Sequence, residues 1–198
     1  MKIQSHLAME LKKVMLRQKV SEKTSMLCCT AFVFLLSAQA NGQAFSFGCT
    51  NENAAVVPTT PTEDFTLVGN GTVIHKATGL MWMQCSVGQT WTSDGCSGAA
   101  NGYLWQGAMQ LAEGASFAGY NDWRLPNKNE LASIVEDRCS SPAINLTIFP
   151  GTEPSWYWSS SPYTDKSDFA WSVFFSNGEV SGDYKYGAGR VRLVRSGQ

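Results

Sequence analysis

The side chains able to do chemistry are few, and a structural task explains most of them equally well. The sequence has two histidines, and only His75 lies outside the leader-like first 40 residues. A serine or cysteine nucleophile would need it as a base. It sits between Ile74 and Lys76 in what reads as a surface hairpin, where a solvated imidazole is expected. Ser159, Ser160 and Ser161 lack the Gly-x-Ser-x-Gly elbow of a nucleophile; their hydroxyls suit a strand end that satisfies loop backbone. Asp122 and Arg124 bracket Trp123, and an ion pair beside a buried indole is the expected use of them. Arg190, Arg192 and Arg195 cluster near the end of the chain. They suit a carboxylate or sulfate, or acids such as Asp122 or Glu130 across a sheet, since alternate strand residues face opposite sides. Asp165, Asp168, Glu179 and Asp183 are the acids on offer to calcium, which takes roughly six to eight oxygens. They match no calcium-loop pattern, and neither Glu-Pro-Asn nor Trp-Asn-Asp occurs; Glu153-Pro154-Ser155 is the nearest approach. No catalytic residue, metal or cofactor is therefore expected.

Cysteines and aromatics offer more. Beyond the leader-like segment, which takes Cys28 and Cys29, stand Cys49, Cys85, Cys96 and Cys139. An even set in an exported chain reads as two disulfides. Cys85 and Cys96 flank a local loop containing Trp91 and Gly95 and are paired on that ground. Cys49 with Cys139 follows by elimination and would tie an N-terminal arm to the end of a helix. No Cys-x-x-Cys spacing speaks for zinc. Seven Trp, six Tyr and eight Phe follow residue 40; Trp82, Trp123 and Phe174 are expected in the core. The stretch from Ser181 to Gly189 differs. It has no apolar periodicity, and its Tyr, Asp, Gly and Ser match the composition of binding loops. Tyr163, Asp165, Asp183, Tyr184, Lys185 and Tyr186 are the candidate ligand-binding residues.

The elements that must position them read as follows. Residues 65–68 and 72–74 are short strands around Gly69-Asn70-Gly71, and the apolar run 80–83 is a buried strand. A helix spans roughly 103–113, with Leu104, Ala108, Leu111 and Ala112 on one face and Gly114 as its stop. Asn127 caps a second helix, with Glu130 completing a capping box and Leu131, Ile134 and Val135 as its buried stripe. Residues 157–159 form a strand. Residues 169–175 alternate and turn at Asn177-Gly178, a two-residue hairpin signal, into 179–181. Residues 191–195 form the closing strand.

Residues 1–40 read as a signal peptide: Lys12, Lys13, Arg17, Lys19 and Lys23, an apolar core from Met26 to Leu36, and Ala38-Gln39-Ala40 as the cleavage pattern. Residues 41–64, with Pro58-Thr59-Thr60-Pro61-Thr62, read as a flexible or extended arm, and residues 65–196 as one domain. The leader holds 6 of the 15 Lys+Arg and 2 of the 16 Asp+Glu, leaving 9 and 14 and a net charge of −5. Nucleic acid and anionic membranes want a basic footprint, so neither is an expected partner, and no membrane insertion is expected once the signal is removed.

Several ordered motifs carry a resemblance. They are Gly71-Thr72-Val73, the run from Ala77 to Trp82, the run from Gly119 to Pro126 holding Asp122, Trp123 and Arg124, Asn129-Glu130-Leu131, the run from Trp156 to Ser161 holding Trp158, and Val191-Arg192-Leu193-Val194-Arg195. Together they resemble the Lcl C-terminal domain family, named for the tail of a collagen-like adhesin, from about Phe65 to Arg195. The resemblance implies an α+β, C-type-lectin-like fold, with two helices on a small antiparallel sheet, a loop-rich second half and disulfides. It implies an extracytoplasmic location, whether periplasm, cell surface or medium, and no reaction, since fold does not fix function. The family commonly has an acid near the first turn, where this chain has Asn70 and His75. In lectin-like folds diversified for recognition, variable positions precede a similar closing strand, the place of Tyr184 to Tyr186 here. The function expected is an exported, non-catalytic recognition or adhesion domain binding a surface glycan or protein. The alternatives are a structural subunit of an envelope or appendage assembly and an enzyme related to formylglycine-generating enzymes. Those enzymes use reactive cysteines and copper, whereas all four cysteines here are assigned to bridges.

Overall fold

The computed structural model describes residues 48–197; the expected signal peptide and the first residues of the arm lie outside them. The elements are β1 (Asn51–Glu52), a 3-10 turn (Thr62–Asp64), β2 (Phe65–Leu67), β3 (Thr72–His75), β4 (Leu80–Met83), β5 (Thr90–Thr92), β6 (Gly95–Ser97), α1 (Trp105–Glu113), α2 (Lys128–Ala132), β7 (Cys139–Ser140), β8 (Trp156–Pro162), β9 (Phe169–Phe174), β10 (Glu179–Tyr184) and β11 (Val194–Ser196). They build a mixed α+β domain with small antiparallel sheets: a four-stranded sheet β11-β4-β3-β2, a three-stranded sheet β10-β9-β8, and the pairs β1-β7 and β5-β6.

Period-2 alternation divides the interior into two cores. From β4, Trp82 enters one and Met81 the other; from β8, Tyr157 and Trp158 split the same way, as do Val194 and Leu193. The first core adds Phe65, Leu131, Ile134, Ile144, Phe149 and Phe175. The second adds Ala108 and Ala112 of α1, Trp123 and Leu125. The closing run stitches the two sheets together. Arg190 bridges to Tyr157 and Val194 to Arg124, while β11 pairs with β4. The expected strand at 191–195 is therefore regular only from Val194. The residues before it cross between sheets, where the Leu193 carbonyl accepts from the Met83 amide at 3.1 Å.

The helices differ instructively from expectation. Asn127 makes a full capping box with Glu130, as its spacing predicts. Ile134 and Val135 are buried but lie past the end of α2. Helix α1 begins two residues later than expected, because Tyr103 exchanges backbone hydrogen bonds of 2.9 and 3.0 Å with Gly189. Leu104, placed on the apolar face by sequence, is instead the extended N-cap residue and is 55% exposed. Position 189 needs glycine because a Cβ there would sit 2.6 Å from the indole nitrogen of Trp158.

Both expected disulfides form, with Cα–Cα distances of 5.2 Å for Cys49–Cys139 and 5.4 Å for Cys85–Cys96. Cys139 opens β7 rather than closing a helix, since α2 ends well before it. Part of the segment read as a flexible or extended arm is fixed. The buried Glu136 carboxylate accepts from the Thr59 and Thr60 amides at 3.1 and 2.7 Å. A buried carboxylate is tolerable only with such donors.

Three further expectations are corrected. The β9–β10 turn has four residues, Phe175 to Gly178, not two. That length carries Phe175 into the core, fully buried, where its amide donates to the Ser155 carbonyl at 3.0 Å and its carbonyl accepts from Ala143 at 2.6 Å. Phe174, expected in the core, is only half-buried and stacks on Trp156 at 4.5 Å. His75 is not a solvated side chain. It is 4% exposed, stacks on Phe65 across the β2–β3 register at 4.7 Å and meets the Thr78 hydroxyl at 3.0 Å.

Burial holds the His75 imidazole below its ordinary value, against a smaller upward pull from Asp64. The unfolded chain therefore binds the proton first as pH falls, so stability is lost on acidification through the imidazole range. Thermal melts of the wild type between about pH 7.5 and pH 5 should show this decline. The His75→Phe protein, which keeps the stacked ring, should show a shallower one; an identical slope would dismiss His75 as its cause.

Candidate binding face

Five rings run in unbroken succession over the outer end of the β9–β10 hairpin. Trp171 and Tyr163 have centroids 4.7 Å apart, Tyr163 and Phe169 6.2 Å, Phe169 and Tyr184 4.1 Å, and Tyr184 and Tyr186 4.8 Å. Phe169 and Trp171 are two apart on β9 and so share a face, and Tyr184 pairs with Phe169 across the hairpin. Gly182 lets Tyr163 lie against β10: a Cβ there would meet the Tyr163 ring at 2.6 Å. Solvent reaches the end of the row, where Tyr184 is 42% and Tyr186 67% exposed.

The backbone beneath is fixed. The Lys185 amide donates to the Asp168 carbonyl at 2.8 Å, the Trp105 amide to the Lys185 carbonyl at 3.0 Å, and the Gly187 amide to the Tyr184 carbonyl at 2.7 Å. The Trp105 indole N–H donates to the Ser159 carbonyl at 2.8 Å. The segment Ser181–Gly189, read as a loop, is thus strand β10 to Tyr184 and a tight turn after it. Its lack of an apolar period fits a strand at the edge of its sheet, partly exposed along its length.

Three lysines lie on this face, each over a ring: Lys128 over Trp171 at 4.2 Å, Lys166 over Phe169 at 4.6 Å and Lys185 over Trp105 at 4.6 Å. Lys185 also donates to the Ser167 carbonyl at 2.6 Å. Asp168 and Asp183 stand close to Tyr186. The Tyr186 phenol is pushed above its ordinary value, by desolvation against its neighbours first and then by Tyr184, Asp168 and Asp183.

Of the six candidate residues, Tyr163, Asp183, Tyr184, Lys185 and Tyr186 gather at this corner; Asp165 lies in the exposed turn between β8 and β9. Sequence reasoning missed Phe169, Trp171, Trp105, Leu104 and Gln106. Phe169 and Trp171 stood in a stretch read only as an alternating strand, and the other three come from the start of α1, some 80 positions away in sequence. Only the isolated Trp-Gln at the helix start could have flagged them, and it carries no pattern.

The other charged residues hold the frame. Arg195 pairs with Asp122 at 2.7 Å, as expected, while Glu130 is taken by Arg124 at 2.7 Å. Asp122 and Arg124 thus bracket the buried Trp123 without pairing with each other. The hydrogen bond from each arginine holds its carboxyl partner below the ordinary range. Arg190 pairs with Glu153 at 2.7 Å; Glu153 also accepts from the Ala100 amide at 3.0 Å. Arg192 is fully buried with no carboxylate: it donates to the Met83 and Gln84 carbonyls and the Ser86 and Thr152 hydroxyls. The Ser159 hydroxyl donates to the Trp171 carbonyl at 2.7 Å, and that of Ser161 accepts from the Lys128 amide at 3.1 Å. Among the described residues, no three His, Cys, Asp or Glu side chains stand close enough to hold a metal ion.

Fold and site together define a class: small disulfide-braced α+β domains whose rigid frame presents an aromatic surface patch. Within that class, this chain belongs to the Lcl C-terminal domain family, whose model matches residues 71–195. The match ends at the Arg195 of the sequence resemblance and starts a few residues inside it. No curated protein matches the chain.

Proposed function

We propose that this protein is an exported, non-catalytic recognition or adhesion domain, C-type-lectin-like in fold, that binds a surface glycan or protein through the aromatic corner and without calcium. The observation that carries the reading is the unbroken aromatic row ending in exposed Tyr184 and Tyr186, set on a backbone pinned by hydrogen bonds. Exposed, rigid aromatics give contact area at small entropic cost, and loops on a fixed scaffold are where binding concentrates. Two disulfides suit an extracytoplasmic setting, and no helix among the described residues is long and apolar enough to cross a membrane. With every described cysteine bridged, a thiol-dependent reaction has no free sulfur there.

The test is binding of the oxidised protein to a broad glycan array and to intact cells, with calcium and with chelator. Tyr184→Ala with Tyr186→Ala should weaken binding at least tenfold, the loss of one or two hot-spot aromatics, and leave the melting temperature unchanged. Binding that survives the double change would sink this site, and binding abolished by chelator would restore a calcium role for Asp165, Asp168 and Asp183.

A second reading rests on a different observation. Strand β2 ends its sheet; its last residue, Leu67, and the next, Val68, are 53% and 44% exposed. An apolar edge suits a subunit of an envelope or appendage assembly; co-purification with a large complex, lost in Leu67→Lys, would support it.

A further inference from the structure

Beside the end of the aromatic row is a cleft of about 540 Å³, lined by Leu104, Trp105, Gln106, Asp168, Lys185 and Tyr186. Its size falls within the range of roughly 300–1,000 Å³ usual for small-molecule sites. One wall is the 67% exposed Tyr186 and another the 55% exposed Leu104. Both are large apolar surfaces left open to water on a domain that buries most others. The Gln106 amide and the Asp168 carboxylate have no hydrogen-bond partner among the described residues, so the rim keeps unused donors and acceptors.

The charges say what the cleft is unsuited to hold. Around the face stand Lys128, Lys166 and Lys185 together with Asp168 and Asp183, so charges of both signs are present. An incoming cation would find the faces of Trp105, Phe169 and Trp171 already occupied by lysine, within 4.6 Å in each case. An incoming sulfate or carboxylate would meet Asp168 at the rim, on a chain whose residues 41–198 carry a net charge of −5. What remains is an uncharged ligand with one flat apolar face and a polar edge.

We infer that this cleft binds an uncharged hexopyranose unit of a neutral glycan, stacked by its C–H face on Tyr186, with neighbouring hydroxyls hydrogen-bonded to Asp168 and Gln106. The inference rests on the recognition reading above and names its ligand. A pyranose chair supplies the flat C–H face. A vicinal diol donates two hydrogen bonds to one carboxylate, and bonds to a charged acceptor are the stronger kind. Lys185 is already committed to Ser167 and to the ring of Trp105; it closes the floor of the cleft, leaving Asp168 to select for hydroxyl donors.

The test titrates the oxidised protein with neutral tetrasaccharides of glucose, mannose, galactose and N-acetylglucosamine, with heparin as the sulfated probe, following tryptophan fluorescence and calorimetric heat. At least one neutral sugar should bind saturably, unchanged by chelator or by high salt. Tyr186→Ala and Asp168→Ala should each weaken it at least tenfold, and Tyr186→Trp should keep it, with melting temperatures showing that all three variants are folded. No binding by any neutral sugar would overturn the inference, as would neutral-sugar binding that Tyr186→Ala leaves intact. Heparin or a cell-surface protein bound in a Tyr186-dependent way would also overturn it, while leaving the broader recognition reading standing. If no ligand responds to Tyr184→Ala with Tyr186→Ala, both fall.

Discussion

Arg192→Ala should lower the unfolding free energy by roughly 4 kcal/mol, several times the cost of an ordinary surface change. The guanidinium is fully buried and meets four acceptors: the Met83 carbonyl at 3.0 Å, the Gln84 carbonyl, the Ser86 hydroxyl at 3.2 Å and the Thr152 hydroxyl at 2.6 Å. It also stacks over Phe149 at 4.8 Å. Truncation orphans the buried Gln84 carbonyl at about 1–3 kcal/mol and the partly buried Met83 carbonyl at somewhat less, and leaves a cavity besides. Burial pushes the Arg192 pKa down to about 10, still far above neutrality, so the cation persists at working pH. Arg192→Lys keeps that charge, but a compact ammonium does not span four acceptors set for a planar fork. About half the destabilisation should therefore remain. Chemical denaturation of the three proteins checks this; a lysine variant as stable as the wild type would show that charge alone matters.

Loss of the Cys49–Cys139 bridge should be comparably severe. It joins residues 90 apart, against 11 for Cys85–Cys96. Loop-closure entropy then gives roughly 4–5 kcal/mol for the long bridge and about 3 kcal/mol for the short one. Cys49→Ala with Cys139→Ala should thus lower the denaturation midpoint more than Cys85→Ala with Cys96→Ala. The opposite order would mean that the β5–β6 clasp, not the arm, is the greater constraint. The arm retains non-covalent anchors in either case, through Glu136 and the β1–β7 pair, so partial retention of structure after the long bridge is removed is expected.

What the sequence made legible was local. The capping box of Asn127 and Glu130, the β2–β3 hairpin around Gly69 to Gly71, and a Cys85–Cys96 loop all announce themselves within a dozen residues. The four cysteines were few enough for elimination to reach the second bridge, and a set of ordered motifs was enough for the family. The misreadings lie where partners are distant. His75 was read from its neighbours Ile74 and Lys76, yet Phe65 across the register decides its burial. Phe174 and Phe175 exchanged roles because a four-residue turn, held by the segment around Ala143, changes which ring faces inward. The candidate site was half visible. Tyr184 to Tyr186 stood out by composition, but Leu104, Trp105 and Gln106 reach them through the backbone bridges between Tyr103 and Gly189 and between Trp105 and Lys185. No local pattern encodes a contact made by main-chain atoms.

The long bridge also determines how the domain would carry load. Tension entering from the N-terminal side and opposed at a ligand held by Tyr184 and Tyr186 reaches Cys49 first. It then crosses the sulfur–sulfur bond to Cys139 and continues along the chain to the ligand face. The residues between the two cysteines, which include the β2–β3–β4 core strands and both helices, lie outside that route. A pull that would peel a hydrogen-bonded arm from a sheet is instead borne by a covalent bond. Under the proposed recognition role, the domain would act as a short tether to that face, with the residues between Cys49 and Cys139 outside the covalent route.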